Sequence, residues 1–162
     1  MSATTIDQKT AAGIATRILR EGYGEGAWHG PDLKAALADV TTELAFWRPA
    51  PGRHNIAEIA VHHSYTAHGA RAKLSGAVEP FVLQGEDWFD LPDSSTLNWS
   101  RIRELVELEH QRLEEAVNAA GSKGAGSPQS DAERFDVVLG ITCHAVYHAG
   151  QIQLIKRLGA TV

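Results

Sequence analysis

Four stretches of this chain repeat their apolar residues every three or four positions, and none alternates them convincingly as a strand would. From Thr5 to about Tyr23, Ile6, Ala11, Ile14, Ile18 and Leu19 mark one helical face, which the Gly22, Gly24, Gly26 cluster ends. Asn55 caps a second long helix reaching about Leu74, with Ile56, Ile59, Ala60, Ala67, Ala70 and Leu74 facing inward and Ser75-Gly76 as its stop. A third helix, from Asn98 to about Ala120, turns Trp99, Ile102, Leu105, Val106, Leu108, Leu113 and Val117 inward and glutamates and arginines outward. The fourth, from Asp131 to Leu158, carries Val137, Val138, Ile141, Ile152 and Ile155, and Gly159 follows it.

Between these stretches lie connections of unequal length. Gly30-Pro31-Asp32 reads as a turn and N-cap before a short helix on Leu33, Ala36, Leu37 and Val40, and Pro49, Pro51 and Gly52 break the chain after Trp47. Residues 77–97 hold Pro80, Pro92 and the aromatics Phe81, Trp88 and Phe89 without a sustained period, the mark of a long connection packed over the core. Gly121 to Ser130 reads as a flexible linker. The expected fold is all-α, a four-helix bundle with long crossover connections, and its 162 residues make one domain, 1–162.

Charge and cysteine usage narrow the function. A net charge of −5 gives no positive field to hold a phosphate backbone, which argues against nucleic acid as a partner. Cys143 is the only cysteine, so a disulfide framework is impossible; a buried structural thiol in a reducing compartment is expected. No basic segment precedes an apolar run at the N-terminus, and no run of about 18 apolar residues occurs, so neither export nor membrane insertion is expected and the location is cytoplasmic.

The chemistry must therefore come from other side chains, and the eight histidines are the obvious source. His144 and His148 stand four residues apart, so on a helix both imidazoles leave one face from adjacent turns, within the stripe of Val137, Ile141 and Ile155. Two imidazoles buried side by side carry nitrogens that need partners, and a shared metal ion satisfies both. A third donor is available on the second long helix, where the apolar stripe marginally favours His63 over His62. His29, His54, His68 and His110 sit where loop, capping or packing roles suffice. Cys143 points about 100° away from His144, which disfavours a Cys-His nucleophilic pair.

Three segments carry a likeness to a known family: Trp28-His29-Gly30-Pro31-Asp32-Leu33, the run from Arg48-Pro49 through His54-Asn55-Ile56 to Glu58 and His62, and His144-Ala145-Val146-Tyr147-His148-Ala149-Gly150-Gln151-Ile152. Over nearly its whole length the chain resembles the DinB/YfiT-like metalloenzymes. The resemblance implies His62, His144 and His148 as metal ligands, against the stripe's preference for His63. It also implies a homodimer. Glu58, one turn before His62, is a candidate acceptor for an imidazole N–H or a general base, and Gln151 a candidate hydrogen-bond partner of the site. Where this family commonly has a Trp and an aromatic, the chain has Ala57 and Thr66, which implies a pocket of different shape near His62.

Three imidazoles with an open position make a Lewis-acidic centre for zinc or nickel first, and for iron or copper after them. The resemblance thus implies a metal-dependent hydrolase or a low-molecular-weight-thiol S-transferase acting on a small molecule, as in bacillithiol- and mycothiol-dependent relatives. The alternative is a non-catalytic, stress-related, metal-binding dimer akin to DNA-damage-inducible proteins.

Overall fold

The computed structural model describes residues 8–24, 26–76, 78–122 and 129–160, and among them it is all-helical, without a strand. The helices are α1 (Gln8–Gly22), α2 (Leu33–Ala38), α3 (Thr42–Phe46), α4 (Ile56–Ser75), α5 (Trp99–Ser122) and α6 (Asp131–Leu158).

Most of them start at a side chain that satisfies otherwise orphaned backbone N–H groups. The Asn55 side chain accepts from the Glu58 N–H at 2.8 Å while the Glu58 carboxylate accepts from the Asn55 N–H at 3.3 Å, a capping box at the head of α4. Ser130 and Glu133 repeat the arrangement for α6. Asp32 caps α2, Thr41 caps α3, and Asn98 accepts from the Arg101 N–H at the start of α5.

The four long helices pack in a cycle: α4 lies against α5 and α6, and α1 against the same two. α1 and α6 approach closely at Gly22, where a Cβ would stand 2.8 Å from the Ala145 Cβ and 3.1 Å from the Thr142 carbonyl. α2 packs on α6 and α3 on α4. The core forms two apolar clusters. One gathers Ile56, Ile59, Ile102, Val106, Ala149 and Ile152 with α2, Phe89 and Leu91; the other gathers Leu19, Ala67, Leu74, Leu113, Val117 and Ile141. Between their residues along α4 and α5 runs a buried polar belt of His62, His63, His68, Glu109 and His110, which His148 joins from α6. Grouping these polar groups in one layer lets them pair with one another, as burial requires.

Several sequence expectations change in detail. α3 is an extra helix, five residues long and too short to show a period. α5 runs through Ser122, past the expected end at Ala120, and residues 123–128 of the expected linker lie outside the described residues, as does Ile6. Ile14 and Leu108, expected inward, are exposed, whereas Glu109, expected on the outer face, is buried in an ion-pair network. Cys143 is exposed rather than a buried thiol, because it falls on the outward face of α6.

Candidate metal centre

The first half of α4 and the middle of α6 bring His62, His144 and His148 together. His144 Nε2 stands 3.0 Å from His62 Nε2 and 3.1 Å from His148 Nε2. Two nitrogens each about 2.0 Å from one tetrahedral ion are about 3.3 Å apart, so the observed spacing suits a shared ion.

The opposite ring nitrogens decide what these Nε2 atoms offer. His62 Nδ1 lies 2.9 Å from the Asp87 carbonyl oxygen, which only accepts, so Nδ1 carries the proton and Nε2 a lone pair. His148 Nδ1 donates in the same way to Gln151 Oε1 at 2.6 Å, while the Gln151 amide donates to the Tyr147 hydroxyl at 3.1 Å. His144 Nδ1 meets His63 Nδ1 at 3.3 Å. If His144 donates there, all three Nε2 lone pairs converge; if it is protonated on Nε2 instead, a single N–H faces two acceptors. A cation resolves the first arrangement, and a cluster of this kind can hold a metal ion.

Protonation is disfavoured at the same place. Burial, then repulsion from His148 and His62, brings His144 down to about 4. Burial also takes His148 to about 4 against the opposing hydrogen bond it donates to Gln151. His63 is driven well below the ordinary imidazole range, first by complete burial and then by His144 and His110. Its Nε2 is buried and has no hydrogen-bond partner among the described residues.

Trp88 closes one side of the centre. Its ring is parallel to His62 at 3.9 Å and to His54 at 3.7 Å. Two rings cannot both lie that close and parallel on one face without overlapping, so Trp88 is sandwiched between the two imidazoles. Asp87, at a left-handed φ of 59° that aspartate tolerates better than most residues, turns both its carbonyl and its carboxylate toward His62 Nδ1. Neither residue is evident from spacing; the available signal was a tryptophan and an aspartate inside an otherwise unpatterned connection.

Of the other sequence candidates, Gln151 lies directly behind His148. Glu58 is buried and accepts from Arg48, His54 and the N–H groups of Asn55 and Leu91. Burial pushes its carboxyl up, but Arg48 and the Leu91 N–H outweigh this and hold it below the usual range. None of its described hydrogen bonds reaches the three histidines. His63 is inward, as the stripe implied, but stands behind His144, and it is His62 that joins the cluster. His29 donates to the Glu21 carbonyl.

His68, Glu79 and Glu109 form a second group close enough for a cation. Two guanidinium groups already neutralise it: Arg71 meets Glu79 at 2.9 Å and Glu109 at 3.5 Å, and Arg112 meets them at 2.6 and 3.2 Å. It is an ion-pair network. Among the described residues no helix is long and apolar enough to cross a membrane.

A sequence model described as the DinB superfamily matches residues 26–152, which takes in every residue of the histidine cluster and its partners. No curated protein and no solved structure matches the chain.

Proposed function

The chain belongs to the DinB superfamily, and from that premise we propose a divalent-metal protein whose ligands His62, His144 and His148 serve a hydrolase or a low-molecular-weight-thiol S-transferase. The observation that carries this reading is the convergence of three Nε2 atoms whose opposite nitrogens each have a partner. An all-imidazole donor set suits zinc, nickel, iron or copper. When bound, such an ion supplies Lewis acidity to a water or thiol that reaches an open position.

The chain's own groups do the positioning. Asp87 fixes His62, Gln151 fixes His148 and His63 backs His144, so each lone pair is aimed in advance. Trp88 excludes water from one side of His62. We read Glu58 as a positioning residue: it anchors the head of α4 and, through His54, one face of the Trp88 sandwich. With its lone pairs engaged by four donors, it favours the thiol reading over the hydrolytic one. A thiol ionises on its own near pH 8.5, about the unperturbed thiol value, whereas water needs a base.

The test is metal content by mass spectrometry on untagged protein. Wild type and His63→Ala should carry stoichiometric metal at saturation, and His62→Ala and His148→Ala should lose it. A wild type that holds no metal after reconstitution refutes the centre.

The second reading, a non-catalytic stress-related dimer, draws on one feature of α6. Phe135, Leu139, Cys143, Tyr147, Leu154 and Leu158 follow one another along its outer side at spacings of four residues, with one step of seven, and are all exposed. A second copy of the chain would cover them, so the reading includes a homodimer. Light scattering should give twice the chain mass for wild type and a monomer for Leu154→Glu; a monomeric wild type removes the dimer. The cyclic packing of α1, α4, α5 and α6 also supports reading the chain as one domain, a four-helix bundle with crossover connections.

A further inference from the structure

A cleft of about 910 Å³ lies between the second half of α4, the first half of α6 and the connection that follows α4. It adjoins the histidine cluster without including it. Asp87 lines the cleft and also holds His62, and Thr66 and Ile141 line it one turn from His62 and His144.

Its walls are largely apolar, with Phe81, Leu83, Val137 and Ile141 among them. Gly69 and Gly140 also line it, and both lie inside helices, where glycine costs about 1 kcal/mol relative to alanine. At neither would a Cβ meet any protein atom within 4 Å, so close packing does not explain them. What their missing side chains leave is room in the cleft. At the far end stand Lys73 and Asp136, the latter eight residues before His144, which is about 12 Å along a helix.

We infer that this cleft is the body-binding half of the active site. It takes an elongated, mostly aliphatic small molecule whose metal-ligating head reaches the histidine cluster. The inference rests on the metal-centre reading above and adds the class of ligand. Gly69 and Gly140 determine specificity by keeping the groove open, and the apolar walls bind the tail through its removal from water.

The experiment uses the full chain loaded with cobalt(II), titrated with 2-mercaptoethanol, 1-butanethiol and 1-hexanethiol and read by the thiolate-to-cobalt charge-transfer absorption. In wild type, affinity should rise by about fourfold for each added methylene buried. Gly140→Leu, which improves helix propensity while filling the groove, should flatten that dependence. Its cobalt content should match wild type. Leu83→Asp should flatten the dependence independently. A charge-transfer band with 2-mercaptoethanol but no dependence on tail length, or a dependence that survives both substitutions, overturns the cleft assignment alone. Failure to bind cobalt, or the lack of a band with any thiol, overturns the metal-centre reading and this inference with it.

Discussion

His63→Leu should move stability and metal affinity in opposite directions. With His144 donating from Nδ1, the neutral His63 ring must carry its proton on Nε2, which is buried without a partner. A buried orphan of that kind costs about 1–3 kcal/mol. Leucine removes it at comparable bulk. What is lost is the 3.3 Å contact to His144, worth about 0.5–1.5 kcal/mol, and His144 is only half-buried, so water can replace part of it. The metal-free protein should therefore gain about 1 kcal/mol, measured by urea unfolding at pH 8 with a chelator present. Without its partner, His144 is free to rotate and to change tautomer, and metal affinity should fall about 10- to 100-fold, measured by competition with a chromophoric chelator. If His63→Leu destabilises the metal-free protein by more than about 1 kcal/mol, or leaves metal affinity unchanged, the proton assignment behind the converging lone pairs is wrong.

Three further outcomes follow from the same structure. His110 is buried and, chiefly through that burial, titrates at about 4, so the unfolded chain takes up a proton there that the folded chain refuses. Its contribution is fully present above about pH 6.5 and is lost as pH falls toward 4, about 3 kcal/mol in all; urea unfolding of the metal-free protein should weaken across that window, and His110→Leu should weaken less. Gly22→Ala forces a Cβ against Ala145 and the Thr142 backbone, so despite its better helix propensity it should cost about 1–3 kcal/mol in thermal or urea unfolding. Arg71→Leu leaves the buried Glu109 carboxylate with Arg112 and His68 and should cost about 1–3 kcal/mol, against a small effect for the exposed Arg101→Leu.

The long helices were readable because their starts and faces are local matters. Asn55 and Asp131 mark two of those starts, and the spacing of His144 and His148 needs only a helix to bring the imidazoles together. The third member of the cluster was not readable from periodicity, for a physical reason. Every residue from Ile56 to Ser64 is buried, so this part of α4 has no outer face against which a stripe could distinguish His62 from His63. The family resemblance assigns His62 where periodicity could not. Asp87 and Trp88 escaped because a connection without period takes its path from tertiary contacts, here the Leu91 and Asn55 anchorage to α4 and the imidazoles stacked on either side of Trp88. Cys143 was misplaced because a lone cysteine is usually buried, while here it shares the exposed side of α6 with Leu139 and Tyr147.

The sequence distances within the histidine cluster also set when it can form. Asp87 is 25 residues from His62, whereas His144 is 82 residues away, on a helix synthesised after both α4 and α5. Closing the longer loop costs about 1 kcal/mol more in chain entropy. α4 and the connection behind it can thus arrange His62, Asp87 and Trp88 early, while a nascent chain lacking α6 offers only one of the three nitrogens. In the proposed metal reading, tight uptake therefore waits until α6 has been made and has docked, which makes loading with metal a late check on assembly.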